Sequence, residues 1–242
     1  MIGTLTVNGQ DLSAFGCYVT SSNSLFASAQ PDVEKIKVPG KNGDLTYFNG
    51  KYNNITITYS AFIYYDFAQN FSDLRNFLSK ITDYVKIEDS FNDNEYRMGR
   101  FLVDGKSFSP IVVNDMTMGH FTLSFDCKPQ RFLVSGDAES TFSASGTITN
   151  PTSWASEPLI TVYGTGNGIL DIGNYRCTIT GMTEALVINS DIQDCYKPET
   201  GVNLNSLVAL SNGFPKIESG NVGVQFSGDI TSVKIKPRWW KL

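Results

Sequence analysis

Along "NITITYSAFIYY", residues 54–65, apolar and polar positions alternate: Ile55, Ile57, Tyr59 and Ala61 take one face, Thr56, Thr58 and Ser60 the other. A period of two places one face in a core and the other in water, the signature of a half-buried strand. Comparable runs at 15–20, 33–38, 45–48, 84–88, 95–103, 107–113 and 117–127 predict strands through the first half of the chain. In "GTLTVNGQDLS" the dipeptide Asn8-Gly9 predicts a two-residue hairpin turn, because both residues tolerate positive φ. One stretch breaks the period. In "NFSDLRNFLSKITDYV", Phe71, Leu74, Phe77, Leu78 and Ile81 fall on a single helical stripe, which predicts a helix over 71–83. Asn70 suits its N-cap and Asp73 its positive end.

The pattern weakens at "KPQRFLVSGDAEST", and "TFSASGTITNPTSWASEP" follows with small polar residues and two prolines. This predicts a boundary near 134–140. Beyond it, "LITVYG", "GILDIG", "YRCTIT", "ALVINS", "FPKIES", "VGVQFSG" and "ITSVKIKP" read as short strands joined by glycine-rich turns, with no helical stripe. The predicted fold is mainly β: an N-terminal β-rich domain (1–135) with one helix, a C-terminal β-sandwich (136–237) and a short tail (238–242).

Composition supports a folded globular chain: 242 residues, 41 % hydrophobic, 12 % aromatic and 18 % charged. The net charge of −5 is spread evenly, with no basic face for nucleic acid or anionic lipid. Cys17, Cys127, Cys177 and Cys195 form no CxxC pair, so reduced thiols are expected, with Cys177–Cys195 the pairing to consider if a bridge forms. The opening residues lack a cationic start and a long apolar run, and "YSAFIYY" is too short to span a bilayer. These features predict synthesis in the cytoplasm and no membrane partner.

A search for chemistry returns little. His120 is the only histidine and lies in an alternating strand, without an acyl-transfer signature beside it. One histidine and four scattered cysteines supply no zinc ligand set. "GTGNGIL" at 164–170 leads into strands rather than a helix, so a hairpin loop is expected there, not a phosphate cradle. "DSFNDNEYR" at 89–97 carries Asp89, Asp93 and Glu95, but lacks the glycine and terminal glutamate of an EF-hand loop; a solvated hairpin tip is expected. Asp171, Asp191 and Asp194 are candidates for a carboxylate pair of the glycosidase kind, although Asp191 and Asp194 look like turn residues. No enzyme signature emerges, and no cofactor or metal is implied.

Two stretches remain. "KVPGKNGDL" places Pro39, Gly40, Lys41, Asn42, Gly43 and Asp44 on one connection between two strands. Proline and glycine make it a stiff turn, and whether it is more than a turn depends on the rest of the chain. At the other end, Pro237 should stop the last strand, and "RWWKL" is too apolar to trail in water. Trp239 and Trp240 are therefore expected to pack back on the N-terminal domain.

Several motifs in order carry a resemblance along essentially the whole chain: "NGQDLSAFGCYV", "VPGKNGDL" leading into "YNNITITYSAF", the helix, "GRFLVDG" and "FSGDITSVKIKPRWW". The sequence resembles the distal tail proteins of long-tailed, non-contractile phages that infect Gram-positive bacteria. The family's turn often has arginine where this chain has Lys41, which keeps the charge and loses the bidentate fork. The resemblance implies an N-terminal belt domain that closes into a homohexameric ring, with the 39–44 turn at its interface. It also implies an outward-facing galectin-like or carbohydrate-module-like sandwich. The implied partners are the major tail tube protein, a tail-associated tip protein and receptor-binding or baseplate proteins, at the distal end of the virion tail. A carbohydrate-binding module for host cell-wall saccharide is the alternative. Galectins pair a tryptophan with a nearby histidine, and this half has no histidine, which argues against a galectin-type site; Tyr163, Tyr175 or Tyr196 are the candidates for a site of a different kind.

Overall fold

The computed structural model describes residues 2–20, 25, 27–103, 108–113 and 117–242. The chain divides into two compact units, residues 1–131 with Leu242, and residues 132–241.

In the first unit the strands are β1 (Ile2–Gly3), β2 (Leu5–Val7), β3 (Gln10–Asp11), β4 (Cys17–Thr20), β5 (Pro31–Ile36), β6 (Leu45–Tyr52) and β7 (Ile55–Ile63). After the helix α1 (Phe67–Ser79) come β8 (Val85–Asp89), β9 (Glu95–Phe101), β10 (Ile111–Val113) and β11 (Met118–Leu133). The main sheet runs β1-β4-β7-β11-β9-β8-β2-β3, with β10 on β11. Asn8 and Gly9 turn β2 into β3 with φ of 52° and 77°, as the dipeptide predicts. The expected strand at 107–113 is seen as Ile111–Val113; its first residue, and the Asp104-Gly105 end of "GRFLVDG", lie outside the described residues.

The period-two faces become the core. Ile57, Tyr59, Ala61 and Ile63 of β7 meet Phe121, Leu123, Phe125 and Cys127 of β11, and the helix lays Phe67, Leu74 and Leu78 on them. The helix begins a turn before the predicted 71 and ends at Ser79. Phe67 drives this shift: it stacks on Phe71 at 5.1 Å and lies against Phe121, so the apolar stripe starts one turn earlier. Asn70 is therefore not the cap. Its side-chain amide donates to the Tyr65 carbonyl instead.

The second unit contains β12 (Ser140–Phe142), β13 (Gly146–Asn150), β14 (Leu159–Ile172), β15 (Tyr175–Met182), β16 (Ala185–Asn189), β17 (Asp194–Tyr196), β18 (Val208–Ser211), β19 (Gly220–Lys236) and β20 (Trp240–Lys241). Its architecture rests on two long strands that pair twice. The first half of β14 lies between β16 and the end of β19, its second half between β15 and the start of β19. One group of strands thus continues into the other through a bend, as in sandwiches whose strands switch sheets. Ile160, Val162, Leu186, Ile188, Val233 and Ile235 from one side share a core with Leu170, Ile172, Cys177, Ile179, Val222 and Val224 from the other.

The bend corrects two expectations. "GTGNGIL" is not a hairpin loop but a bulge inside β14, where Gly164 and Gly168 pair with Ile230 and Gly228. "LITVYG" and "GILDIG" are one strand, and so are "VGVQFSG" and "ITSVKIKP". "FPKIES" is not a strand; Ile217 makes only an isolated bridge with Ser156. β12 pairs with β19, and Asp137 holds Lys236 at 3.2 Å.

Candidate functional site

β5 and β6 form a two-stranded sheet of their own, apart from the main sheet order. Ile36 pairs with Leu45, so residues 37–44 make the whole connection. Lys41 N–H donates to the Val38 carbonyl at 3.2 Å, and Gly40 has φ 76°. With Pro39 second and Gly40 third, this is a type II turn, whose third position needs positive φ. Gly43, at φ 82°, turns the chain again before β6. Pro39, Gly40, Lys41, Asn42, Gly43 and Asp44 are all exposed.

The strands behind the turn are unusually apolar for their exposure. Ile36, Leu45 and Tyr47 share one face at 44, 54 and 62 % exposure, with Glu34 opposite Tyr47. Val33 and Phe48 pair on the other face, where Phe48 meets Tyr52 edge-on at 5.7 Å. A hairpin with apolar side chains on both faces has no core of its own, and isolated two-stranded sheets are marginal in water.

The same unit carries an open groove of about 510 Å³ on its main sheet. Phe62 floors it, with Tyr64 at 4.6 Å and His120 at 6.1 Å between ring centres, and Ile2 and Ile111 stand exposed in its lining. His120 pairs across the ladder with Phe62 and points outward. The structure places it on a surface, beside aromatic rings.

The acidic candidates are used as turn and ladder residues. Asp89 accepts from Phe91 N–H and the Asn92 amide through one oxygen and from the Tyr59 hydroxyl through the other. Glu95 pairs with Arg131 at 3.3 Å. Asp171 holds Arg176 by two hydrogen bonds of 2.8 and 2.9 Å, while Asp194 accepts from Asn203 and Asn205. Asp171 and Asp194 thus engage separate partners. Among the described residues, no three His, Cys, Asp or Glu side chains are grouped to hold a metal, and no helix is long and apolar enough to cross a membrane.

Trp239 and Trp240, expected to pack back on the N-terminal domain, also have partners within the second unit. Pro237 ends β19 as expected, and Arg238, at φ 56°, redirects the chain, tied by its N–H to the Gly136 carbonyl and by its guanidinium to Asn189. Trp239 enters the second core, and Leu133 N–H donates to its carbonyl. Trp240 stacks on Trp154 at 5.1 Å and donates its indole N–H to the Ala155 carbonyl. A positive φ after the proline reverses the chain, a step that side-chain hydrophobicity alone does not announce. Trp239→Ala is expected to lower the stability of the second unit by about 3 kcal/mol. Urea denaturation followed by tryptophan fluorescence checks this, and an unchanged midpoint would contradict the placement.

All four thiols are free and buried. Burial pushes Cys17, Cys127 and Cys177 up to about 12 and Cys195 to about 11. A buried thiol with so high a pKa is neither a nucleophile nor a ready disulfide partner. Four thiols should react in denaturant and essentially none in the native protein at neutral pH. The same groups give a pH dependence. Above the ordinary thiol value of 9.0 the unfolded chain sheds protons that the folded chain keeps. Stability should therefore be full below that value and fall as pH rises toward about 12. A urea midpoint that does not move over this range would refute the linkage.

Neither a protein-family model nor a curated protein matches the chain. Among solved structures it matches the Dit protein of phage SPP1, described as a paradigm of the hub adsorption apparatus in phages that infect Gram-positive bacteria. The TM-score is 0.72 at 15 % identity, over 99 % of each chain. The chain has the distal tail protein fold along its whole length.

Proposed function

We propose that the chain is a distal tail protein of a phage that infects Gram-positive bacteria, a non-enzymatic hub at the end of the tail. In this reading six copies close into a ring that joins the tail tube to the tip and receptor-binding or baseplate proteins. The observation that carries it is the β5–β6 hairpin, whose two apolar faces are left uncovered in a chain that shares a hub protein's fold. A head-to-tail ring needs two different complementary surfaces on each subunit. The hairpin with its stiff 39–44 turn would supply one, and the groove floored by Phe62 would supply the other. A preformed turn leaves little entropy to lose on docking.

Native mass measurement tests the reading. The expected species has six times the 26.7 kDa mass of the chain, alone or on mixing with the phage's own tail tube protein. A particle that stays at one chain under both conditions overturns it.

A further inference from the structure

Asn-Gly is the dipeptide in which an asparagine side chain most readily turns on its own backbone, because glycine puts no Cβ beside the attacking nitrogen. The sequence holds five: Asn8-Gly9, Asn42-Gly43, Asn49-Gly50, Asn167-Gly168 and Asn212-Gly213. Closure requires the asparagine ψ and side chain to rotate together until the glycine nitrogen faces the side-chain carbonyl carbon. Whatever fixes either one slows the reaction.

Four of the five are held. Asn8 sits in the two-residue turn between β2 and β3, with its N–H on the Lys86 carbonyl at 2.8 Å. Asn49 lies inside β6, and its amide donates to Asp32 at 3.3 Å. Asn167 is tied twice: its N–H donates to Asp229 at 2.8 Å, and its side-chain oxygen accepts from Gly181 N–H at 2.9 Å. The Asn212 amide donates to the Asn174 carbonyl at 2.9 Å. Asn42 is different. Pro39 and Gly40 complete the type II turn before it and β6 begins after Asp44, so Asn42 and Gly43 fall between the two. Both are exposed, and a Cβ on Gly43 would meet nothing within 4 Å. Among the described residues, none hydrogen-bonds to either.

We propose that Asn42 is a self-modification site of the unassembled chain. The Gly43 nitrogen attacks the Asn42 side-chain carbonyl carbon. The new N–C bond closes a succinimide, and the side-chain nitrogen leaves as ammonia, carrying the Gly43 proton. Water then opens the imide at either carbonyl. One opening gives aspartate; the other routes the main chain through the side-chain carbon and gives isoaspartate. Water is the only co-reactant. Either product places a second carboxylate close to Asp44, and isoaspartate also lengthens the turn by one backbone carbon. The consequence for assembly rests on the reading of the 39–44 turn as a ring contact. A neighbour seated on the turn blocks the rotation that starts the reaction, and a turn already modified no longer fits. Assembly thus preserves the turn, and free subunits age out of the assembling pool.

Peptide mapping of the full chain by mass spectrometry, over several days in mildly alkaline buffer at body temperature, tests the site. The Asn42 peptide should gain the mass difference between a hydroxyl and an amino group, with isoaspartate identified by electron-transfer fragmentation. It should react about tenfold or more faster than the other four, since one hydrogen bond of ordinary net strength accounts for a factor of that order. Asn42→Gln, whose longer side chain closes a larger ring far more slowly, should stay unmodified. Aged and fresh chains are then mixed under assembling conditions. Isoaspartate at position 42 should be depleted about tenfold in the particle relative to the free pool. The proposal is overturned if Asn42 reacts no faster than the other four, or if modified chains enter the particle as readily as fresh ones. A chain that forms no particle refutes the ring, and the peptide map alone then decides the site.

Discussion

Gly228→Val should cost the second unit about 4 kcal/mol or more, enough to unfold a marginal domain. Two effects add. Gly228 has φ 74°, which a β-branched residue reaches only under strain of about 1–3 kcal/mol. A Cβ there would also stand 2.5 Å from the Asn167 carbonyl oxygen and 2.9 Å from the Gly168 Cα. Both contacts are backbone, held by the β14–β19 ladder, so neither can swing away. All three tryptophans, Trp154, Trp239 and Trp240, belong to the second unit, so their fluorescence in urea isolates its unfolding. Gly181→Val is the control. Gly181 has φ 68° and open space around its Cβ position, so it reports strain without collision. If the two variants lose equal stability, the bend does not depend on close approach at Gly228.

The bend also marks the limit of what the sequence reveals. Alternation located the main-sheet strands that bury a single face: Ile57, Tyr59 and Ala61 of β7 are inward in the structure, as their period requires. The stripe of Leu74, Phe77 and Leu78 likewise located the helix, but both of its ends lie about one turn earlier than expected, since Phe67 could be read as a continuation of the strand before it. The glycines of "GTGNGIL" were ambiguous in a different way. A glycine run is compatible with a hairpin loop and with a bulge, and the partner strand decides between them. Here the decision comes from Asp229, whose side chain accepts from Asn167 N–H at 2.8 Å across a separation of 62 residues. No local window contains that partner.

The candidate surfaces follow the same division. The type II turn at Val38-Pro39-Gly40-Lys41 was legible because proline and glycine fix it within four residues. The groove was not, since Ile2, Phe62, Tyr64, Ile111 and His120 come from distant segments and only sheet pairing brings them together. Trp239 and Trp240 were legible as aromatics too apolar to trail in water, while the positive φ of Arg238 that redirects the chain before them was not.

Replacing Leu45 and Tyr47 together by glutamate should abolish self-assembly while leaving the fold intact. The two side chains share one face of the hairpin with Ile36, and at 54 and 62 % exposure they contribute little to the chain's own core. Exposed substitutions of this kind usually change stability by no more than about 0.5 kcal/mol. An interface that uses them loses far more. An aromatic anchor in a protein–protein contact is commonly worth about 2 kcal/mol or more, and a buried unpaired carboxylate adds a further penalty. Together these predict a weakening of about 100-fold or greater in subunit association, at 1.4 kcal/mol per factor of ten. Thr46→Glu, on the opposite face between them, separates the two sides of the hairpin. If only the Leu45 and Tyr47 face contacts a neighbour, Thr46→Glu should assemble normally. Sedimentation measures association, and circular dichroism with urea denaturation verifies the fold. Assembly that survives the double substitution, with both glutamates present and the chain folded, would remove the hairpin from the interface.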